Sequence, residues 1–114
     1  MNTAYLIWQD PYMAAGGDTF IHSMMTFCGF KNIFKEIPRY PVISIQQMQL
    51  ADCRLLLLSS EPFPFKQKHV EEFSAKMPGT RILLVDGQFF SWYGSRLVLA
   101  PAYFADLCQL ALGS

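Results

Sequence analysis

Three short apolar runs set the layout of the chain: Ala4-Tyr5-Leu6-Ile7-Trp8, Arg54-Leu55-Leu56-Leu57-Leu58 and Arg81-Ile82-Leu83-Leu84-Val85. Each is too short for a typical globular helix, and Pro, Gly or Ser residues stand close by, so each reads as a buried strand. The first is apolar throughout, which places it centrally in a sheet. Between the runs the apolar period lengthens to that of a helix. Asp18 or Thr19 caps a helix reaching Cys28, and Gly29 stops it. Phe20, Met24, Phe27 and Cys28 share the face expected to cover the sheet, flanked by Ile21 and Met25. Ser44-Ile45-Gln46-Gln47 is a capping box, and a short helix follows to about Ala51. A further helix spans 66–77, with Val70, Phe73 and Met77 inward and Lys66, Lys68, Glu71, Glu72 and Lys76 solvated. Residues 12–17 read as a loop. Residues 30–41 are mostly irregular, with a very short strand at Ile33-Phe34. After the last strand, 96–100 reads as helical. Pro101 opens a final helix over 101–112 that buries Tyr103, Phe104, Leu107 and Leu110.

Alternating strands and helices give a parallel sheet with helical crossovers, an α/β fold. In such a sheet Trp8-Gln9-Asp10, Ser59-Ser60-Glu61 and Asp86-Gly87-Gln88 all open on one edge, where open α/β sheets bind ligands. The third of these loops carries Phe89, Phe90, Trp92 and Tyr93 between Gly87 and Gly94, with Arg96 beyond. Four aromatics in five residues must pack against the lobe itself, a second lobe or a ligand. Packing within the lobe would put Phe89 and Phe90 in the core and Trp92 and Tyr93 on the last helix.

The 114 residues are enough for one domain with its own core. Nine basic and nine acidic residues cancel, which removes the electrostatic case for nucleic acid or an anionic membrane surface. A 52% hydrophobic and 15% aromatic composition is high for a small chain, so part of the apolar surface is expected at an interface. Cys28, Cys53 and Cys108 read as buried free thiols. His22 and His69 lack partners at ligand spacing and read as surface or cap residues. No apolar run is long enough to span a membrane, and Met1-Asn2-Thr3 leads straight into a strand without a leader pattern. As written, the chain is expected to be cytoplasmic, or else a piece of something longer.

Catalytic signals are weak. Gly16-Gly17 before a helix invites phosphate, but it matches neither dinucleotide nor P-loop spacing and reads as a hinge before a cap. Ser59 and Ser60 sit in no GxSxG elbow and have no nearby His-Asp pair. Glu61 is a lone acid in a proline-stiffened apolar loop; it caps the next helix, meets an exposed lysine or lines a ligand face. An enzyme would draw on Asp86, Glu61 and Arg96 as acid-base and anion-holding groups, yet no nucleophile-base pair and no metal set can be assembled.

Several segments together resemble a known family. They are Trp8-Gln9-Asp10-Pro11-Tyr12-Met13, Asp18-Thr19-Phe20-Ile21, Gly29-Phe30-Lys31-Asn32-Ile33-Phe34 and Arg39-Tyr40-Pro41. Ser59-Ser60-Glu61-Pro62-Phe63-Pro64-Phe65, Val85-Asp86-Gly87 and Phe90-Ser91-Trp92-Tyr93-Gly94-Ser95-Arg96 complete the pattern. In order and spacing they resemble the C-terminal lobe of the helical-backbone substrate-binding proteins that serve ABC importers of cobalamin, haem and ferric siderophores. The resemblance implies a two-lobed, non-catalytic and extracytoplasmic protein, periplasmic or membrane-anchored, with the ligand between the lobes. Each lobe is a three-layer α/β/α sandwich with a mainly parallel sheet. Residues 1–114 are then one lobe, and the N-terminal lobe is a missing partner.

The resemblance puts Trp8, Glu61, Phe63, Phe90, Trp92, Tyr93 and Arg96 on the cleft edge, and it implies neither a cofactor nor a metal. Flat aromatics suit a corrin, porphyrin or catecholate face, and Arg96 suits a propionate, amide or phosphate. One position departs from the family pattern. Where the family commonly has a glutamate that meets an arginine pocket on the permease, this chain has Gln46. A neutral amide loses the charge-assisted bond, which weakens docking. A lone lobe that pairs with itself through the aromatic cleft face, as a homodimer, is the competing expectation.

Overall fold

Strands β1 (Asn2–Trp8), β4 (Leu55–Ser59) and β5 (Arg81–Val85) run parallel in a computed structural model that describes residues 1–87. Their register is continuous: Leu6 pairs Leu58, and Leu58 pairs Leu84. Two short strands join them, β2 (Met13–Ala14), antiparallel to β1, and β3 (Lys31–Asn32), parallel to it. The strand order is β2-β1-β4-β5, with β3 also on β1. The helices are α1 (Phe20–Phe27), α2 (Ile45–Leu50) and α3 (Gln67–Lys76). The helices expected over 96–100 and 101–112, Cys108, and the candidate residues Phe90, Trp92, Tyr93 and Arg96 lie outside the described residues.

Strand side chains alternate between the faces, so β1 and β4 feed two cores at once. Tyr5, Leu55 and Leu57 pack with Ile21, Met24 and Met25 of α1. Ala4, Leu6, Leu56 and Leu58 pack with Met48 of α2, Phe73 of α3 and Met77. Helices therefore cover both faces of a mainly parallel sheet, as the three-layer expectation has it. All-apolar strands follow directly, since neither face of β4 meets water.

Three local expectations are corrected. The buried stripe of α1 is Ile21, Met24 and Met25 with Cys28 half-buried; Phe27 is 70% exposed and Phe20 is exposed as well. The Thr19 hydroxyl accepts from the His22 amide and caps the helix. Apolar residues at 20, 21, 24, 25, 27 and 28 offer two overlapping stripes, and the one about Ile21 and Met25 faces the sheet. Residues 12–17 are not only a loop, because β2 sits there and a backbone ladder continues beyond it. Ala14 N donates to Pro41 O at 3.1 Å, Gly16 N to Arg39 O at 2.7 Å and Gly17 N to Ile37 O at 2.8 Å. The Gly-Gly pair is thus where two backbones meet, and both amides are already spent.

The third correction moves the short strand from Ile33-Phe34 to Lys31–Asn32. The Asn32 side chain accepts from Phe34 N at 2.9 Å and donates to Ala15 O at 3.0 Å, folding the chain out of the ladder. The capping box forms as expected: Ser44 Oγ accepts from Gln47 N at 3.1 Å, and Gln47 Oε1 accepts from Ser44 N at 2.8 Å. His69 does cap α3, its Nδ1 accepting from Lys66 N at 2.9 Å, but it is buried rather than on the surface. His22 is half-buried beside the Asn32 amide.

Candidate functional site

The carboxyl ends of β1, β4 and β5 lie side by side because the strands are parallel and in register. At this edge β4 ends in Ser59, whose hydroxyl ties three groups together. It accepts from Tyr5 Oη at 3.1 Å and from Glu61 N at 3.3 Å, and it donates to Glu61 O at 2.6 Å. One proton and two lone pairs are then used, so Ser59 has no free hydrogen-bonding capacity for nucleophilic work. Ser60 Oγ accepts from Gly87 N at 3.0 Å, which binds the β4 loop to the end of β5. Gly87 lies so close to Ser59 Oγ and Glu61 Cγ that a side chain there would overlap both.

A cavity of about 360 Å³ opens here, lined by Tyr5 and Ile7 of β1, Ile21 of α1, Tyr40, and Ser59, Glu61 and Pro62. Among the described residues Glu61 is its one ionisable carboxylate, and Glu61 Oε1 is buried with no hydrogen-bond partner. Among those residues no group of three or more His, Cys, Asp or Glu stands close enough to hold a metal ion. No described helix is long and apolar enough to cross a membrane.

The sequence-derived candidates are distributed over two faces of this edge. Glu61 lines the cavity. Trp8 does not, because neighbouring strand residues point to opposite faces and Ile7 takes the cavity side. Trp8 is 40% exposed and meets Phe63 edge-on, with ring centroids 5.7 Å apart. Phe63 in turn contacts Phe65 at 4.8 Å and His69 at 5.4 Å, which anchors the pair to the α3 side of the sheet. Gln46 is exposed on α2, remote in sequence from these loops. Tyr40, Ile7 and Ile21 had not been singled out for the site. Tyr40 comes to the cavity through the ladder between 37–41 and 14–17, a non-local pairing without a sequence period.

No family model matches the chain, and no curated protein matches it. Solved structures do. The periplasmic vitamin B12-binding protein BtuF of Vibrio cholerae superposes with a TM-score of 0.76 at 14% identity, over 100% of this chain and 46% of that one. The periplasmic heme-binding protein BhuT, in complex with two hemes, gives a TM-score of 0.75 at 20% identity, over 98% and 45%. The periplasmic heme-binding protein RhuT from Roseiflexus sp. RS-1 gives 0.68 at 22% identity, over 96% and 44%. The chain spans less than half the length of each of these proteins. Its fold, a mainly parallel sheet between helices, is the one that recurs within these periplasmic binding proteins.

Proposed function

We propose that this chain is the C-terminal lobe of a two-lobed, non-catalytic binding protein that captures cobalamin or an iron compound for an ABC importer. The observation that carries the reading is the cavity at the carboxyl edge of the parallel sheet, with Glu61 in its wall. Support comes from the fold shared with proteins that bind vitamin B12 and heme. The Ser59 hydroxyl, used up in holding the loop, favours binding over catalysis. In this reading the N-terminal lobe supplies the facing wall, and Trp8, Phe63, Phe90, Trp92, Tyr93 and Arg96 complete the rim. The parent protein is extracytoplasmic, and Gln46 stands at the surface that would meet a permease.

The test is a titration of the two-lobed parent with cyanocobalamin, haemin and a ferric siderophore, followed by tryptophan fluorescence. The chain has two tryptophans, Trp8 and Trp92, and both belong to the proposed rim. Saturable quenching by one compound, abolished in Trp92→Ala, supports the reading. No quenching by any of the three overturns it. A molecular mass that rises with concentration and falls back in Trp92→Ala would point to self-association instead.

A further inference from the structure

We propose that Glu61 determines the specificity of the cavity, admitting ligands that present N–H or O–H donors and turning away those that present a carboxylate. This rests on the binding role proposed above. The Glu61 carboxylate is placed rather than free. Its backbone amide and carbonyl are both bonded to Ser59 Oγ, at 3.3 and 2.6 Å. Its Cγ sits against Gly87, where a Cβ would stand 2.8 Å away. Loop and strand end thus hold the side chain from two directions.

An ionised carboxylate only accepts hydrogen bonds. Glu61 Oε1 is buried without a donor among the described residues, a costly state for an acceptor and more so for a charged one. Among the described residues the cavity wall offers no remedy: it contains no lysine, arginine or histidine, Tyr5 and Ser59 have spent their protons on Ser59 Oγ and Glu61 O, and the Tyr40 hydroxyl does not bond Glu61 Oε1. A ligand amide, amine or hydroxyl supplies the missing donor and gains a charge-assisted bond. A ligand carboxylate seated against Glu61, rather than against Arg96 at the proposed rim, brings a second negative charge beside the first and is repelled. The cavity therefore takes a neutral or cationic, donor-bearing part of the ligand.

The experiment is calorimetric titration of the two-lobed parent with cyanocobalamin, whose corrin edge bears primary amides, and with haemin, whose edge bears carboxylates. Wild type, Glu61→Gln and Glu61→Ala are compared, with thermal melting to show that the fold persists. The expected result is a wild-type preference for cyanocobalamin. Glu61→Gln then weakens cyanocobalamin about tenfold and tightens haemin, since the charge leaves and the shape remains. A residue that merely holds the loop would not move the two probes in opposite directions. Saturable haemin binding that is tighter than cyanocobalamin and indifferent to Glu61→Gln overturns this inference while leaving the binding role intact. Binding of neither probe overturns it too. Quenching by the siderophore in the earlier titration then decides whether the binding role survives.

Discussion

Gly87 and Glu61 share a single space: a Cβ on Gly87 would meet Glu61 Cγ at 2.8 Å and overlap the Ser59 hydroxyl as well. The end of β5 thus fixes the loop that follows β4, and the Glu61 carboxylate in the cavity wall depends on a residue without a side chain.

Gly87→Ala is expected to push Glu61 and Ser59 apart. Overpacking of this kind costs about 1–3 kcal/mol. Urea unfolding of the variant measures that loss. Because the displaced atoms hold Glu61 in the cavity wall, ligand affinity should fall by more than the change in stability explains. A variant with unchanged midpoint and unchanged affinity would mean that Glu61 is not seated on Gly87.

Gly17 and Gly29 make a contrasting pair. A Cβ on Gly17 would run into the Lys35 carbonyl, and the neighbouring backbone is held by the Gly17 N to Ile37 O bond of 2.8 Å. Gly29 has φ +82 and nothing within 4 Å of a built Cβ. Gly29→Ala therefore costs only left-handed backbone strain, about 1–2 kcal/mol. Gly17→Ala has to separate two hydrogen-bonded backbones and should cost more, about 3 kcal/mol by analogy with severe overpacking. Denaturation midpoints of the two variants, compared side by side, give the ranking; the reverse order would remove the ladder between 14–17 and 37–41 as a structural tie.

Local signals account for what was legible in the sequence. The three apolar strands, the Ser44 box and the Gly29 stop depend on residues within a few positions of one another, and the structure has all of them. The phase of α1 was not fixed by spacing, because apolar residues at 20, 21, 24, 25, 27 and 28 offer two overlapping stripes, and the one about Ile21 and Met25 faces the sheet. The ladder that brings Tyr40 to the cavity joins residues from 20 to 27 positions apart through backbone groups, which leave no trace in side-chain pattern. The Gly-Gly pair was the one hint, since two adjacent glycines permit close backbone approach as readily as they permit a hinge. At the site, Glu61 was legible as a lone acid in an apolar loop. Its partnerless oxygen was not, because the absence of a donor is a property of the whole neighbourhood.

The capping box offers a test confined to α2. Ser44 and Gln47 exchange two hydrogen bonds, at 3.1 and 2.8 Å, both exposed. Ser44→Ala should cost about 1 kcal/mol, within the range of N-cap deletions. Gln47→Ala should cost less, and the double variant less than the sum, since each single change already breaks the reciprocal pair. Additive losses in a double-mutant cycle would show that the two bonds act independently. Gln46 lies between them in sequence and is exposed.

Cys53 gives the stability of this fold a defined pH dependence. Burial pushes its thiol from 9.0 up to about 11, with a smaller push from the Asp52 carboxylate, against the pull of backbone hydrogen bonds at Leu55 and Ala4. In the folded chain the group remains a thiol where the unfolded chain already ionises. The stability it contributes is fully present below pH 9.0 and is lost as pH rises toward about 11. Across that window the loss amounts to about 2–3 kcal/mol, at roughly 1.4 kcal/mol for each unit of the shift. Other groups titrate in the same range, so the measurement is a difference. Urea unfolding of wild type and Cys53→Ala is followed from pH 8 to pH 11. The variant starts less stable, having lost a buried side chain, and the gap should narrow as the wild type loses its thiol term. A gap that stays constant across the window would mean that the sulfur is accessible to water in the folded chain.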